Sequence, residues 1–381
     1  MKINYISPSV LPSNSANSVH VIMQCDALVS LGVSVKLYAK RMIRNKSAFM
    51  QAVQESYGID LERMKLVSYY SNSNLADNLK IAIMALFSMH YGDWPDAILS
   101  RNLYASYVIA VLERKRLFFE THQLEQGLRK SMQRAIMVCP WVTTIAISRK
   151  MIECLYEHHG TYPYHYLVLH DAAPDGVIPL NHNERRSELC RLFPEANGTW
   201  QAVCGYFGHL FEGRGIEIIN EMAIARPNVL FMVFGGNDKD VQARREATKQ
   251  RNLIFIGHVP YRTAQQAMRA VDILLMPYQE RVSIGLAGQD TARWMSPMKM
   301  FEYLACGVPI ISSDLPVLRE VLKDRVNCLL VEPSEIVAWL SAVDRLVENP
   351  HLAMAIGKQA HLNYKSEHTW TLRAKKILDA V

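Results

Sequence analysis

Short β-branched or apolar runs alternate with longer helical stretches along almost the whole chain, and few folds accept that order. The first half carries INYIS, SVKLY, LVSY, AILS, LFFE, TIAIS and YLVLH. The second carries AVCGYFG, VLFMVFGG, LIFIGHV, DILLMPY, VPIISSD and CLLVE. Such an alternation is the pattern of parallel sheets covered by helices. Helical stretches such as VHVIMQCDALVSLG stop at a glycine, Gly32, as helix ends favour.

At 381 residues the chain exceeds the size at which one hydrophobic core stops growing, so two domains are expected. The polar, Pro- and Gly-bearing stretch around DAAPDGVIPLNHNERRSELCRLFPEANGTW separates the two alternations. The expected division is a first doubly wound α/β domain over 1–175, a linker region over 176–198, a second doubly wound domain over 199–364 and a closing helix over 365–381. Two such domains in series create a cleft, because open α/β sheets bind ligands beyond the carboxyl ends of their strands.

Half the residues are hydrophobic and a fifth are charged, which excludes disorder and low complexity. The net charge of +6 allows an anionic ligand or membrane surface, whereas a nucleic-acid binder would show a denser patch. Basic residues cluster at Lys40 to Lys46 and at Arg129, Lys130 and Arg134. They read as solvated helix faces, with docking to anionic lipid headgroups as the alternative. The seven cysteines form no C-x-x-C pair and sit in apolar runs, as small core residues of a reducing compartment do. No signal-peptide-like apolar region opens the sequence and no uncharged run reaches membrane-spanning length, so a cytoplasmic location is expected.

The second half holds the chemistry. In GYFGHLFEGRGIEII a strand ends, a glycine-punctuated loop bearing Gly208 follows, and a helix begins near Gly215. Backbone amides there could approach an anion, and Arg214 would add charge-assisted hydrogen bonds of about 1.5–3 kcal/mol, more than the ~0.3–1 kcal/mol of the helix dipole. A plain tight strand-to-helix turn is the alternative. The spacing is not G-x-G-x-x-G, which disfavours a nicotinamide cofactor. FMVFGGND places Gly235 at another strand end. In RWMSPMKMFEYLACGVPIISSD, Ser296 suits an N-cap and Pro297 the first helical position, so the amides of Met298 and Lys299 would point out of the helix. Glu302 lies about one and a half turns in; it needs a partner or a ligand, and an i, i+3 pair with Lys299 is the local solution.

Taken together, GYFGHLFEGRGIEII, VLFMVFGG, IFIGHVPY, VDILLMPY, SPMKMFEYLACGVPIISSDLPVLREVL and DRVNCLLVEP resemble the retaining glycosyltransferases of family 4, in a subgroup with Ser-Pro in the donor loop. SNSANSVHV, SRNLYAS, FFETHQ, TIAIS and LVLHDAAPDGV match more loosely in the first half. The resemblance implies the GT-B fold, two Rossmann-like domains facing across a cleft, with the closing helix crossing back to the first domain. It implies that Glu302 holds the ribose of a nucleotide-sugar donor, UDP- or GDP-linked, and that Ser296, Pro297 and the amides of Met298 and Lys299 meet its diphosphate. Arg214 takes the place of the family's phosphate-binding lysine, and the base lies against the backbone near His258 and Val259. His122 matches the family histidine that faces the donor sugar from the opposite domain. The acceptor is expected on the first domain, with Asn14, Ser15, Arg101 and Asn102 at strand-end loops. Three departures stand out: Trp294 occupies the position of the family's first glutamate, His209 that of its phosphate-binding arginine, and Cys328 that of a common turn glycine.

The expected function is therefore transfer of a hexose-type sugar to a hydroxyl of a saccharide or lipid-linked saccharide, with retention and without a metal or cofactor. A peripheral contact with anionic lipid on the cytoplasmic face of the membrane is the further partner expected. A nucleotide-sugar epimerase of the same fold and an inactive nucleotide-sugar-binding subunit are the alternatives, the latter motivated by Trp294.

Overall fold

The computed structural model describes residues 1–13, 15–59, 61–71, 75–92, 94–283 and 290–381. The chain forms two compact units: unit 1 is Met1–Asp171 with Trp370–Val381, and unit 2 is Ala172–Thr369. The strands of unit 1 are β1 (Lys2–Leu11), β2 (Ser34–Arg41), β3 (Lys65–Tyr70), β4 (Ala97–Ser100), β5 (Leu117–Thr121), β6 (Val142–Ala146) and β7 (His165–Val168). Those of unit 2 are β8 (Ala202–Phe207), β9 (Val229–Phe234), β10 (Leu253–Gly257), β11 (Ile273–Met276), β12 (Ile310–Ser313) and β13 (Leu329–Val331).

The helices follow in chain order. Unit 1 has α1 (Ala16–Ser30), α2 (Lys46–Tyr57), α3 (Leu75–His90), α4 (Leu103–Tyr107), α5 (Leu128–Met137) and α6 (Arg149–His159). Unit 2 has α7 (His182–Leu192), α8 (Ile216–Ala225), α9 (Asp238–Ala247), α10 (Tyr261–Ala270), α11 (Met298–Cys306), α12 (Ile336–Glu348) and α13 (Pro350–Glu367). The last helix, α14 (Trp370–Leu378), belongs to unit 1 and packs against α1.

Both sheets are parallel, ordered β3-β2-β1-β4-β5-β6-β7 and β10-β9-β8-β11-β12-β13. The strand order reverses between β1 and β4 and between β8 and β11. Those reversals are where open α/β sheets leave a crevice for ligands. The alternating side chains of β8 explain the two-faced core of unit 2. Ala202, Cys204 and Tyr206 enter the layer with Met222 of α8 and Trp339 of α12. Val203 and Phe207 enter the layer with Phe301 and Leu304 of α11, and Phe207 stacks on Phe234 at 4.4 Å. Full burial of a Val, Leu, Phe or Met side chain of this kind contributes about 1.5–3 kcal/mol.

The stretch expected as a linker is structured and belongs to unit 2. There α7 is opened by a capping box between Asn181 and Glu184, and Leu189 is its one fully buried residue. A helix that buries so little carries no apolar stripe, which is why its composition resembled a linker. The basic cluster near residue 40 is likewise not a helix face: Lys40 and Arg41 end β2, and Lys40 Nζ donates to Asn78 Oδ1 at 2.9 Å.

Candidate functional site

In unit 2 the expected donor residues converge at the carboxyl edge of the sheet, around the β8–β11 reversal. After β8 the backbone passes through Gly208 at φ 151°, where a Cβ would stand 2.5 Å from Lys299 Nζ. A Cβ at Gly235 would meet the Gly208 carbonyl oxygen at 2.2 Å. Both glycine amides are spent within the fold, Gly208 N–H on the Phe234 carbonyl and Gly235 N–H on that of Gly257. These glycines therefore provide close passage for backbone and ammonium, with their own amides bonded within the sheet edge.

Arg214 stands at the mouth of α8. Its Nη1 donates to the Tyr278 hydroxyl at 3.1 Å and its Nη2 to the Ser283 carbonyl at 3.0 Å, with the guanidinium 5.2 Å above the Tyr278 ring. Its Nε is buried with no hydrogen-bond partner among the described residues.

Helix α11 begins one residue later than expected. Pro297, not Ser296, is its N-cap, with φ −73° and ψ 121°. The extended ψ keeps the proline outside the helix, so Met298 and Lys299 supply its first two amides, and the N-cap residue offers no side-chain bond to them. Ser296 is buried behind the turn. Glu302 is only 8% exposed and accepts a hydrogen bond from the Tyr261 hydroxyl at 2.7 Å. Burial first, and the Glu302 charge second, push the Tyr261 phenol well above its ordinary pKa, so it remains a donor.

The local Lys299–Glu302 pair does not form. The Lys299 ammonium lies 4.0 Å from the Tyr206 ring centroid and 5.2 Å from that of Tyr278, buried with no hydrogen-bond partner among the described residues. His209 is exposed and stacks on Phe211 at 4.7 Å. Partial burial of its ring first, then the charges of Arg214, Lys299 and His258, lower its pKa. His258 is exposed and Val259 half-buried just beyond β10.

Unit 1 holds the remaining expected residues, and around them a network that the sequence alone did not reveal. The carboxylate of Glu120, inside β5, accepts from the Tyr5 hydroxyl at 2.7 Å and from Arg373 Nη2 at 2.6 Å. His20 Nε2 lies 2.9 Å and His122 Nε2 3.1 Å from the same oxygen that meets Arg373, and His20 Nδ1 is 2.6 Å from Asp171 Oδ1. Burial is the largest influence on Glu120 and raises its pKa; the charges of His20 and Arg373 and the hydrogen bonds from both histidines outweigh it and hold the carboxyl well below its usual range. For His122, burial first and the Arg101 charge second lower the pKa to about 4, although 22% of its side chain reaches solvent. Its ring is neutral at physiological pH.

His20, Glu120 and His122 are spaced closely enough to hold a metal ion. The Arg373 guanidinium already supplies the cation on that oxygen, so the donor set fits a buried ion network better than a metal site. The only prior sign was a glutamate within an otherwise buried strand, LFFE; nothing local announced Arg373 as its partner.

Of the residues expected near an acceptor, Asn14 lies outside the described residues. Ser15 is the exposed N-cap of α1. Asn102 caps α4, its Oδ1 accepting from the amides of Tyr104 and Ala105 and its Nδ2 donating to the Asn78 carbonyl. Arg101 follows β4, with Nη1 buried and without a hydrogen-bond partner among the described residues. A separate groove of about 480 Å³, lined by Arg116, Trp141, His165 and Tyr166, opens beside the first residues of β5, β6 and β7. That is the edge opposite to the one that carries these residues.

The two parallel, Rossmann-like sheets are those of GT-B glycosyltransferase structures. Over 100% of this chain and 99% of the other, the fold matches Anabaena HepE crystallised with UDP, at TM-score 0.73 and 16% identity. It matches sucrose-phosphate synthase from Thermosynechococcus elongatus at TM-score 0.76 and 15% identity, over 100% and 98% of the two chains. Residues 202–349, wholly within unit 2, match the family described as glycosyl transferases group 1. A GDP-mannose-dependent monoacylated α-(1-6)-phosphatidylinositol monomannoside mannosyltransferase of Corynebacterium glutamicum is 24% identical over 163 residues. That stretch is 42% of this chain and 41% of the relative, less than half the length of either.

Proposed function

We propose that the chain is a retaining, metal-independent glycosyltransferase that moves a hexose-type sugar from a UDP- or GDP-linked donor to a hydroxyl of a saccharide or lipid-linked saccharide. The observation that carries this is the convergence of Arg214 and the mouth of α11 on one sheet edge, with the carboxylate of Glu302 about a turn further in. Cationic and amide donors there suit a diphosphate, and a buried carboxylate held by Tyr261 suits ribose hydroxyls. The backbone at His258 and Val259 is left for the base. Both nucleotides are represented among similar proteins, GDP-mannose in the name of the C. glutamicum relative and UDP in the HepE crystal.

In the reaction the bond between the anomeric carbon and the diphosphate oxygen breaks, and negative charge develops on that oxygen. Arg214 and the amides of Met298 and Lys299 meet it as prearranged donors, which is the largest contribution such a site makes. The acceptor hydroxyl bonds to the anomeric carbon on the face the diphosphate leaves, and its proton passes to the departing phosphate oxygen. His122, assigned on the family resemblance, acts as a neutral ring whose orientation is set by Glu120. Trp294 in place of the first glutamate points to recognition of the donor sugar by other groups.

Helix α3 of unit 1 favours an acceptor at a lipid surface. Leu79, Ile83 and Phe87 recur every four residues, Tyr91 follows at the same spacing just past the helix end, and they are 47%, 57%, 61% and 74% exposed, while Ile81, Ala85 and Met89 are buried. An apolar stripe of that kind suits shallow insertion into a bilayer interface, and it supports the proposed peripheral contact with the membrane. Among the described residues no helix is long and apolar enough to cross a membrane.

The direct test is titration calorimetry of the full chain with UDP, GDP and a panel of their sugars. The double variant Arg214→Ala/Glu302→Ala is expected to bind none of them. Wild-type affinity in that variant would end the proposal, and a new nucleotide sugar formed without an acceptor would replace it with epimerase activity.

A further inference from the structure

Lys299 is an anomaly in the packing of unit 2. A buried ammonium ordinarily has a carboxylate or carbonyl against it, because leaving it unpaired forfeits its hydration for nothing. Here the ammonium has no hydrogen-bond partner among the described residues and lies over the aromatic faces of Tyr206 on β8 and Tyr278 beyond β11. The groups around it are Gly208 and His209 from the loop after β8, Arg214 from the mouth of α8, and Glu302 on its own helix. Arg214 is a cation, His209 can become one, and the one acid, Glu302, already accepts from Tyr261. Lys299 and Arg214 together outnumber Glu302, the one acid among these described groups, so the cluster carries an excess of positive charge.

We propose that the Lys299 ammonium is the second cation of the diphosphate site, supplied from α11 beneath Gly208 and acting together with Arg214. This rests on the nucleotide-sugar reading of the same site and deepens it. The resemblance implied a role only for the backbone amide of Lys299. The side chain is the part whose placement has no structural justification, since a methionine would fill the same slot between two tyrosines at lower cost. Gly208 fits the same picture: any larger residue would put its Cβ against the ammonium. A diphosphate bridging Arg214 and Lys299 would supply the missing anion and relieve their mutual repulsion. Burial first, and Arg214 second, depress the Lys299 pKa well below that of an ordinary lysine. Binding of the anion should then draw a proton onto the amine.

The test compares wild type with Lys299→Met by titration of UDP, GDP and the parent nucleosides, alongside melting of the ligand-free proteins. Removing one charge-assisted contact predicts a loss of about 10- to 100-fold in affinity for the nucleoside diphosphate, with nucleoside binding unchanged. The ligand-free variant is expected to melt at or above the wild-type temperature, because a buried amine without a hydrogen-bond partner has been removed. In wild type, titration at pH 8.5 in two buffers of different ionisation enthalpy should report net proton uptake that the variant lacks. Nucleoside diphosphate affinity within twofold of wild type would overturn the proposal, and so would a variant that melts lower and loses nucleoside binding as well. If wild type binds neither UDP nor GDP, the nucleotide-sugar reading itself fails and this inference falls with it.

Discussion

Arg373 Nη2 donates to Glu120 Oε1 at 2.6 Å, joining the last helix of the chain to β5 across 253 residues of sequence. Both side chains are almost wholly buried. The same arginine donates through Nε to the His170 carbonyl, and its Nη1 meets Gln24 Oε1 on α1. The closing helix is therefore held to unit 1 by polar bonds as well as by the Trp370 ring, which meets His20 edge-on at 5.0 Å.

Breaking that pair should be severe. Arg373→Met leaves the Glu120 carboxylate buried without its cation, and loss of one partner of a buried ion pair costs about 3–5 kcal/mol. Urea unfolding of the full chain should show a transition for unit 1 shifted by that amount. A shift below about 1 kcal/mol would mean that Tyr5 and the two histidines suffice to hold the carboxylate.

Unit 1 should also lose stability on mild acidification. His122 and His159 have pKa values of about 4 in the fold, for His159 because of burial first and the neighbouring charges of His158, Lys130 and Arg134 after it. Unfolded, they would titrate near 6.5. Between about pH 6.5 and 4 the unfolded chain therefore binds more protons than the folded one, and stability rises with pH across that window. The depressed carboxyls of Glu120 and Asp171 act lower: their contribution is present above the ordinary carboxylate range and is lost only as pH falls through their folded values. Melting temperature against pH, in wild type and His159→Gln, is the measurement. A wild-type curve flat from pH 6.5 to 5 would contradict the assignment.

Tyr261→Phe should separate orientation from charge at Glu302. The variant keeps the carboxylate but removes a hydrogen bond to it, at a stability cost of about 1–3 kcal/mol. Affinity for UDP or GDP should fall while affinity for inorganic pyrophosphate stays unchanged, because the ribose contact alone depends on Glu302. Equal losses for both ligands would place Glu302 among the phosphate-binding groups instead.

The stripe on α3 gives a test that leaves the active site alone. Ile83→Glu and Phe87→Glu change exposed positions, so stability should move by no more than about 0.5 kcal/mol. Co-sedimentation with vesicles containing anionic phospholipid is expected to drop severalfold. Unchanged sedimentation would remove α3 from the membrane contact.

Legibility differed by element. Every strand of both sheets was apparent, because a run such as LFMVF can be apolar throughout only if both faces are covered. The stretch with α7 read as a linker holding at most one short helix, because only Leu189 is fully buried in it. The start of α11 was misplaced by one residue, since Ser-Pro is compatible with either residue as the N-cap and only the backbone angle of Pro297 distinguishes them.

Local periodicity and the order of motifs thus determined the fold class and the identity of the donor-side residues: Arg214, the first turn of α11 and Glu302 each sit at a strand end or helix mouth that short-range patterns define. Which partner each side chain takes was decided only by the tertiary structure. Glu302 found Tyr261 and not Lys299, Lys299 found two tyrosine rings and not a carboxylate, and Glu120 found an arginine from the far end of the chain. Hydrogen bonds and ion pairs act over a few ångströms, and the residues that come within that reach are set by how strands order in the sheet. Spacing along the sequence carries no record of it.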